Sequence, residues 1–125
     1  RFLFYGSVAE RESLILNLTS RLKNNGEHRR KILDQWIAYA GEFPVTRTNI
    51  LRQLCAAASY RAALTAPAIP VLLLVGQQDQ LVNVKCSLTL AQQWHCAIRV
   101  HPSAGHDLPL DDVVWVVQQV REWLD

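Results

Sequence analysis

The run Pro70-Val71-Leu72-Leu73-Leu74-Val75, ending at Gly76, constrains this chain more than any other stretch. Five consecutive apolar residues bounded by a proline and a glycine are too short for an independent helix. They fit a strand buried on both faces, as in a parallel sheet covered by helices. Gly76-Gln77-Gln78-Asp79 follows, so an acid stands just past the strand's C-terminal end. In open α/β sheets that edge is where ligands bind and chemistry takes place. A second apolar strand is predicted over Ala97 to Val100, with Ser103-Ala104-Gly105-His106-Asp107 on the loop beyond it. If the two strands are parallel, their loops share one edge, and Asp79 and His106 can meet.

Between these strands a helix is predicted from about Lys85 to Trp94, directing Leu88, Ala91 and Gln92 toward its neighbours. Strand, helix, strand makes a crossover unit of the right-handed kind. A last helix begins near Pro109, with Asp111 and Asp112 in its first turn, where carboxylates suit the helix dipole. Its expected buried stripe is Val113, Val117, Val120 and Leu124, widened by Val114, Trp115, Val116 and Trp123.

The first half reads as three amphipathic helices without a strand. Ser7-Val8-Ala9-Glu10 has the form of a capping box, starting a helix striped with Leu14, Ile15, Leu18 and Leu22. Asn24-Asn25-Gly26 is the expected end, with Gly26 as a left-handed C-cap. A second helix is expected from Glu27 to Ala40, with Ile32, Leu33, Trp36, Ile37 and Ala40 on one face and Gly41 and Pro44 closing it. Thr46 or Thr48 caps a third, running to about Leu64 and striped with Leu51, Leu54, Cys55, Ala58 and Ala62. Thr65-Ala66-Pro67-Ala68-Ile69-Pro70 is a proline-stiffened linker. The chain is therefore divided into a helical segment, residues 1–64, and a β-α-β-α segment, residues 65–125.

The strand that ends in Val-Gly-x-x-Asp, the later Gly105-His106 pair and the closing helix resemble, in order and spacing, the C-terminal part of an α/β-hydrolase, from about Ile69 to Leu124. The resemblance implies an α/β fold in which Asp79 is the acid and His106 the histidine of a nucleophile–acid–histidine triad. It implies that residues 1–64 form a cap over the site; a plain helical layer is the alternative. The implied activity is hydrolysis of an ester, thioester or related carbonyl substrate, with a small acyl compound as partner and no cofactor. The chain departs from the family in one respect: none of its six serines stands in a G-x-S-x-G elbow. Together with an Arg1 start and the absence of methionine, this leads to the expectation of a fragment, inactive alone, whose nucleophile and oxyanion hole lie outside it. A non-catalytic binding or accessory module on the same scaffold is the alternative function.

Composition narrows the rest. Half of the 125 residues are apolar and the net charge is +2, which suits a globular chain and not a disordered one. The densest basic run, His28-Arg29-Arg30-Lys31, reads as a solvated helix start, so no nucleic-acid partner is expected. No stretch has the length of a membrane span. Cys55, Cys86 and Cys96 are odd in number and lack C-x-x-C spacing, so they read as buried thiols of a cytoplasmic protein. A Cys86 or Cys96 nucleophile, a zinc site from His95, His101 and His106, and Asp107 as the partner of His106 are each weaker readings. His101 reads as a packed or edge residue, and His95 as a helix-end charge. Two strands alone do not make a stable sheet. The open edge is therefore expected to pair with the missing half or with another copy of the chain.

Overall fold

The computed structural model describes residues 6–21 and 26–125. Among them it is a mixed α/β structure with six helices and one two-stranded parallel sheet. In chain order these are α1 (Val8–Thr19), α2 (Gly26–Glu42), α3 (Arg47–Ser59), β1 (Leu72–Gly76), α4 (Val84–Trp94), β2 (Ala97–His101), α5 (Leu108–Asp111) and α6 (Val113–Leu124). They fall into two compact units. The first comprises residues 1–16 and 24–62, the second residues 17–23 and 63–125.

In the first unit, α1 begins with the capping box. The Ser7 hydroxyl accepts from the Glu10 backbone N–H at 3.2 Å, and the Glu10 carboxylate accepts from the Ser7 N–H at 2.7 Å. Each satisfies an amide that the first helical turn leaves unpaired. The bonds the Glu10 carboxylate accepts, from the Ser7 backbone N–H foremost and then from the Ser7 hydroxyl at 3.0 Å, hold it below its ordinary range. Leu16 is fully buried, whereas Leu14, Ile15 and Leu18 are half-buried. α1 ends at Thr19, earlier than expected. Gly26 opens α2 and adopts no positive φ, so it is not a left-handed cap. Leu22, Asn24 and Asn25 lie outside the described residues. In α2, Ile32 is buried and Leu33, Trp36, Ile37 and Ala40 are half-buried. Thr46 caps α3, its side chain accepting from the Asn49 N–H at 3.2 Å. This helix stops at Ser59, and the Ser59 hydroxyl bonds back to the Cys55 carbonyl at 2.7 Å. Such back-bonding competes with continuation of the helix. The stripe assigned to α3 is not buried: Leu51 and Leu54 are about half exposed and no residue of the helix is buried.

In the second unit, β1 and β2 pair in parallel, with Leu72 opposite Ala97 and Gly76 opposite His101. α4 packs on both strands, and α5 and α6 pack on β1. Asn83 caps α4 by accepting from the Lys85 N–H, and His95 closes it in the left-handed region at φ 50°. The indole N–H of Trp94 and the amide of Gln93 both donate to the Ala63 carbonyl at 2.8 Å, holding the incoming chain against the end of α4. The core consists of Val75, Ala91, Ala104 and Leu108, with His101 and Ser20 buried among the polar residues.

Several burial expectations are corrected. Leu72, Leu73 and Leu74 are half-buried, because among the described residues each strand has only one neighbour. In α4, Ala91 is buried but Leu88 and Gln92 are exposed. The final helical region is two helices, broken at Asp112. α6 turns Trp115, Val116 and Trp123 inward to half-burial and leaves Val113, Val117, Val120 and Leu124 exposed. Periodicity marks that apolar side, with Gln118, Gln119, Arg121 and Glu122 on the other, but no described element covers it. Cys55 and Cys86 are exposed and Cys96 is half-buried, so the thiols are not core residues.

Candidate functional site

The sheet brings its two C-terminal loops together by backbone bonds. Past the last strand pair, the Gln77 N–H donates to the His101 carbonyl at 2.8 Å and the Gln78 N–H to the Ala104 carbonyl at 3.0 Å. Gly76 makes this approach possible. A Cβ there would run into the carbonyl oxygens of Gly105 and Ala104. The small residue is thus required by proximity and not by its φ angle.

On this platform Asp79 and His106 meet. His106 Nδ1 lies 2.8 Å from Asp79 Oδ2. The other carboxylate oxygen, Oδ1, accepts from the backbone N–H groups of Leu81 at 2.7 Å and Val82 at 2.9 Å. Asp79 is therefore anchored by its own turn on one side and aimed at the imidazole on the other. Its side chain is 6 % exposed, that of His106 42 %. Burial pushes the Asp79 carboxyl up. The Val82 amide, the His106 imidazole and the Leu81 amide push it down and prevail, so it lies below the ordinary aspartate range. A carboxylate in this state only accepts, so the facing Nδ1 carries a proton. In the neutral imidazole Nε2 then keeps its lone pair.

His101 forms a second pair with the opposite polarity. Its Nδ1 accepts from the Ala104 N–H at 2.9 Å and the Ser103 N–H at 3.2 Å, which places any proton of the neutral ring on Nε2. Nε2 faces Asp112 Oδ2 at 3.4 Å, and Trp115 packs edge-on against the ring with centroids 4.9 Å apart. Asp112 also caps α6 by accepting from the Trp115 N–H. That bond, foremost, outweighs desolvation and holds its carboxyl below the usual range, helped by His101. The ring is buried and supports the loop ahead of His106.

Asp107 stands on the loop at a helix start, whereas Asp111 departs from its sequence reading. Asp107 stands at the N-cap position of α5 with no side-chain cap bond, and its backbone N–H donates to the Thr19 carbonyl at 2.8 Å. Asp111, read from sequence as a helix-dipole partner, binds residues distant in the chain. Its carboxylate accepts from the Ser20 hydroxyl at 2.6 Å, the Gly105 N–H at 2.6 Å and the Arg21 N–H at 2.9 Å. Nothing in local sequence marks this link, because its partners lie up to 91 positions away.

His95 sits at the end of α4, away from the pair in sequence and in element. Among the described residues, no group of three or more His, Cys, Asp or Glu side chains is placed to hold a metal ion. A shallow open hollow lies along α6, lined by Val113, Val114, Val117 and Arg121 among others. Neither Asp79 nor His106 lines it. No helix among the described residues is long and apolar enough to cross a membrane. The chain matches no protein-family model and no curated protein.

Proposed function

We propose that Asp79 and His106 are the acid and general base of a hydrolase of the α/β-hydrolase type, and that the nucleophile and oxyanion hole are supplied from outside these 125 residues. The 2.8 Å bond between His106 Nδ1 and the anchored Asp79 carboxylate supports this reading most directly. In it, Nε2 takes the proton of an attacking hydroxyl as that oxygen adds to the acyl carbonyl. The imidazolium formed is stabilised by Asp79, then gives the proton to the leaving group as the carbonyl–leaving-group bond breaks. A water molecule, deprotonated by the same nitrogen, then adds to the acyl carbonyl; as the bond to the nucleophile's oxygen breaks, that oxygen takes the proton back from His106 and the acid is released. The substrate class is a small ester, thioester or related carbonyl compound, no cofactor takes part, and the setting is the cytoplasm. Hydrolysis of a short acyl ester by the intact protein tests this against His106→Ala. Loss of turnover is expected; equal rates exclude the role.

One observation favours a second reading, a non-catalytic binding module on the same scaffold. The described sheet has two open edges, and α6 exposes Val113, Val114, Val117 and Leu124 beside it. Such surfaces associate. In this reading, as in the first, the sheet pairs with the remaining part of the fold or with a second copy of the chain. Measurable hydrolysis that depends on His106 decides for the enzyme.

A further inference from the structure

We infer that Asp111 is the positioning residue of His106, a role that rests on the proposed part of His106 in acyl hydrolysis and extends it. His106 has two backbone neighbours, and both are tied, Asp107 directly and Gly105 through Asp111, to the last residue of α1 and the two residues after it. The Gly105 N–H donates to Asp111 Oδ2 at 2.6 Å, and the Asp107 N–H donates to the Thr19 carbonyl at 2.8 Å. Asp111 holds that same segment by accepting from the Ser20 hydroxyl and the Arg21 N–H. One carboxylate therefore links the loop of His106 to residues 20 and 21.

Arg21 carries the link across to the acid. Its Nε donates to the Gln78 carbonyl at 3.1 Å, one residue before Asp79. Its other guanidinium nitrogens donate to the carbonyls of Asn17, Leu18 and Ser20. Asp111 and Arg21 thus join Gly105, the residue before His106, to Gln78, the residue before Asp79, through hydrogen bonds. The link is tight at Gly105. A Cβ there would come within 2.8 Å of the Thr19 carbonyl oxygen and 3.4 Å of Asp111 Oδ2.

Misplacing a proton-transfer group by about 1 Å costs on the order of a hundredfold in rate. Removing the Asp111 carboxylate frees Gly105 and, through it, the imidazole. The bond most sensitive to this is the one between His106 Nδ1–H and Asp79. Its proton gives a far-downfield NMR resonance, assigned by its loss in His106→Gln and in Asp79→Asn, and its exchange with water is measured on the full chain. Asp111→Ala is expected to speed that exchange at least about tenfold. Asp111→Asn retains one carbonyl acceptor and is expected to lie between it and the wild type. The isosteric Asn variant carries the test alone should the Ala variant not fold. In the intact protein Asp111→Asn is expected to lower kcat about ten- to a hundredfold with KM unchanged.

A role confined to stability would lower the melting temperature and leave the exchange rate and kcat of the folded variant unchanged. That outcome overturns the inference. If the wild-type chain shows no Asp79-dependent downfield proton, the inference falls with the pair itself. If the proton is present and slowed by Asp111 but His106→Ala hydrolyses ester at the wild-type rate, the hydrolase reading fails while the positioning role stands.

Discussion

His101 and His106, at the two ends of one short loop, hold opposite tautomers. His101 accepts two backbone amides on Nδ1, whereas His106 presents its Nδ1–H to Asp79. The first ring braces the backbone, and in the neutral form of the second the outer nitrogen keeps its lone pair. Two imidazoles in nearly the same stretch thus differ in what each Nδ1 faces, and the proposed reading gives only His106 a part in chemistry.

Asp79→Asn keeps the size of the side chain but can present an amide N–H to His106 Nδ1, favouring the wrong tautomer. Ester hydrolysis by the intact protein is expected to fall by about 10⁴ in kcat, as in comparable triads. Steady-state kinetics on wild type and variant check this; a loss below tenfold would contradict the tautomer argument.

Asp79 also links stability to acidity. Its folded pKa is lowered from 3.8, so the folded state binds the proton less tightly than the unfolded chain does. The stabilisation is fully present above pH 3.8 and is lost as the pH falls from 3.8 through the lower folded value. Urea midpoints between pH 2 and 6, chosen to bracket the ordinary aspartate range, are expected to show this acid loss in the wild type and a smaller one in Asp79→Asn. His106→Ala removes one of the bonds that lower the carboxyl, so the Asp79 pKa, read from its carboxyl carbon shift, is expected to rise.

Gly76→Ala places a methyl group against the carbonyls of Gly105 and Ala104. Both are backbone atoms and cannot swing aside as a flexible side chain would. A destabilisation of roughly 1–3 kcal/mol is expected, together with loss of protection at the Gln77 and Gln78 amides. Thermal unfolding and amide exchange measure the two effects.

His95 closes α4 with φ 50°, a region that L residues enter at a cost and glycine enters freely. His95→Gly is expected to stabilise the chain by about 0.5 kcal/mol, the gain in the helix end exceeding the added freedom of the unfolded chain. Urea denaturation tests the sign.

The proposed association surface gives a prediction of another kind. Val114 is 72 % exposed and Val117 is 42 % exposed on α6. Val114→Lys with Val117→Glu is expected to reduce self-association at high concentration while leaving the fold unchanged. Light scattering and circular dichroism follow the two properties; identical association in the variant would exclude this face and leave the open strand edges as the contact.

The Asp79–His106 meeting was legible because it depends on local signals. Two apolar runs predict strands, parallel pairing puts both loops on one edge, and Gly76 and Gly105 punctuate the turns. Thr46 and the Ser7–Glu10 box were legible for the same reason, since caps bond within one turn. Asp111 was not, because its bonds to Ser20 and Arg21 join positions about 90 apart and no spacing rule reaches that far. Nor did periodicity foretell which side of α6 is covered. An apolar helix face shows where burial would be favourable, and only the arrangement of other elements decides what covers it. Leu51 and Leu54 of α3 illustrate the same limit, standing exposed on a helix whose pattern reads as amphipathic.

The hydrogen bonds from Gln77 and Gln78 to His101 and Ala104 continue the sheet ladder beyond its last strand pair. The carboxylate and imidazole are consequently mounted on an extension of the β framework. The pair is already assembled without a ligand, so the entropy of aligning it is spent during folding, and under the proposed hydrolysis none of that cost recurs with each substrate.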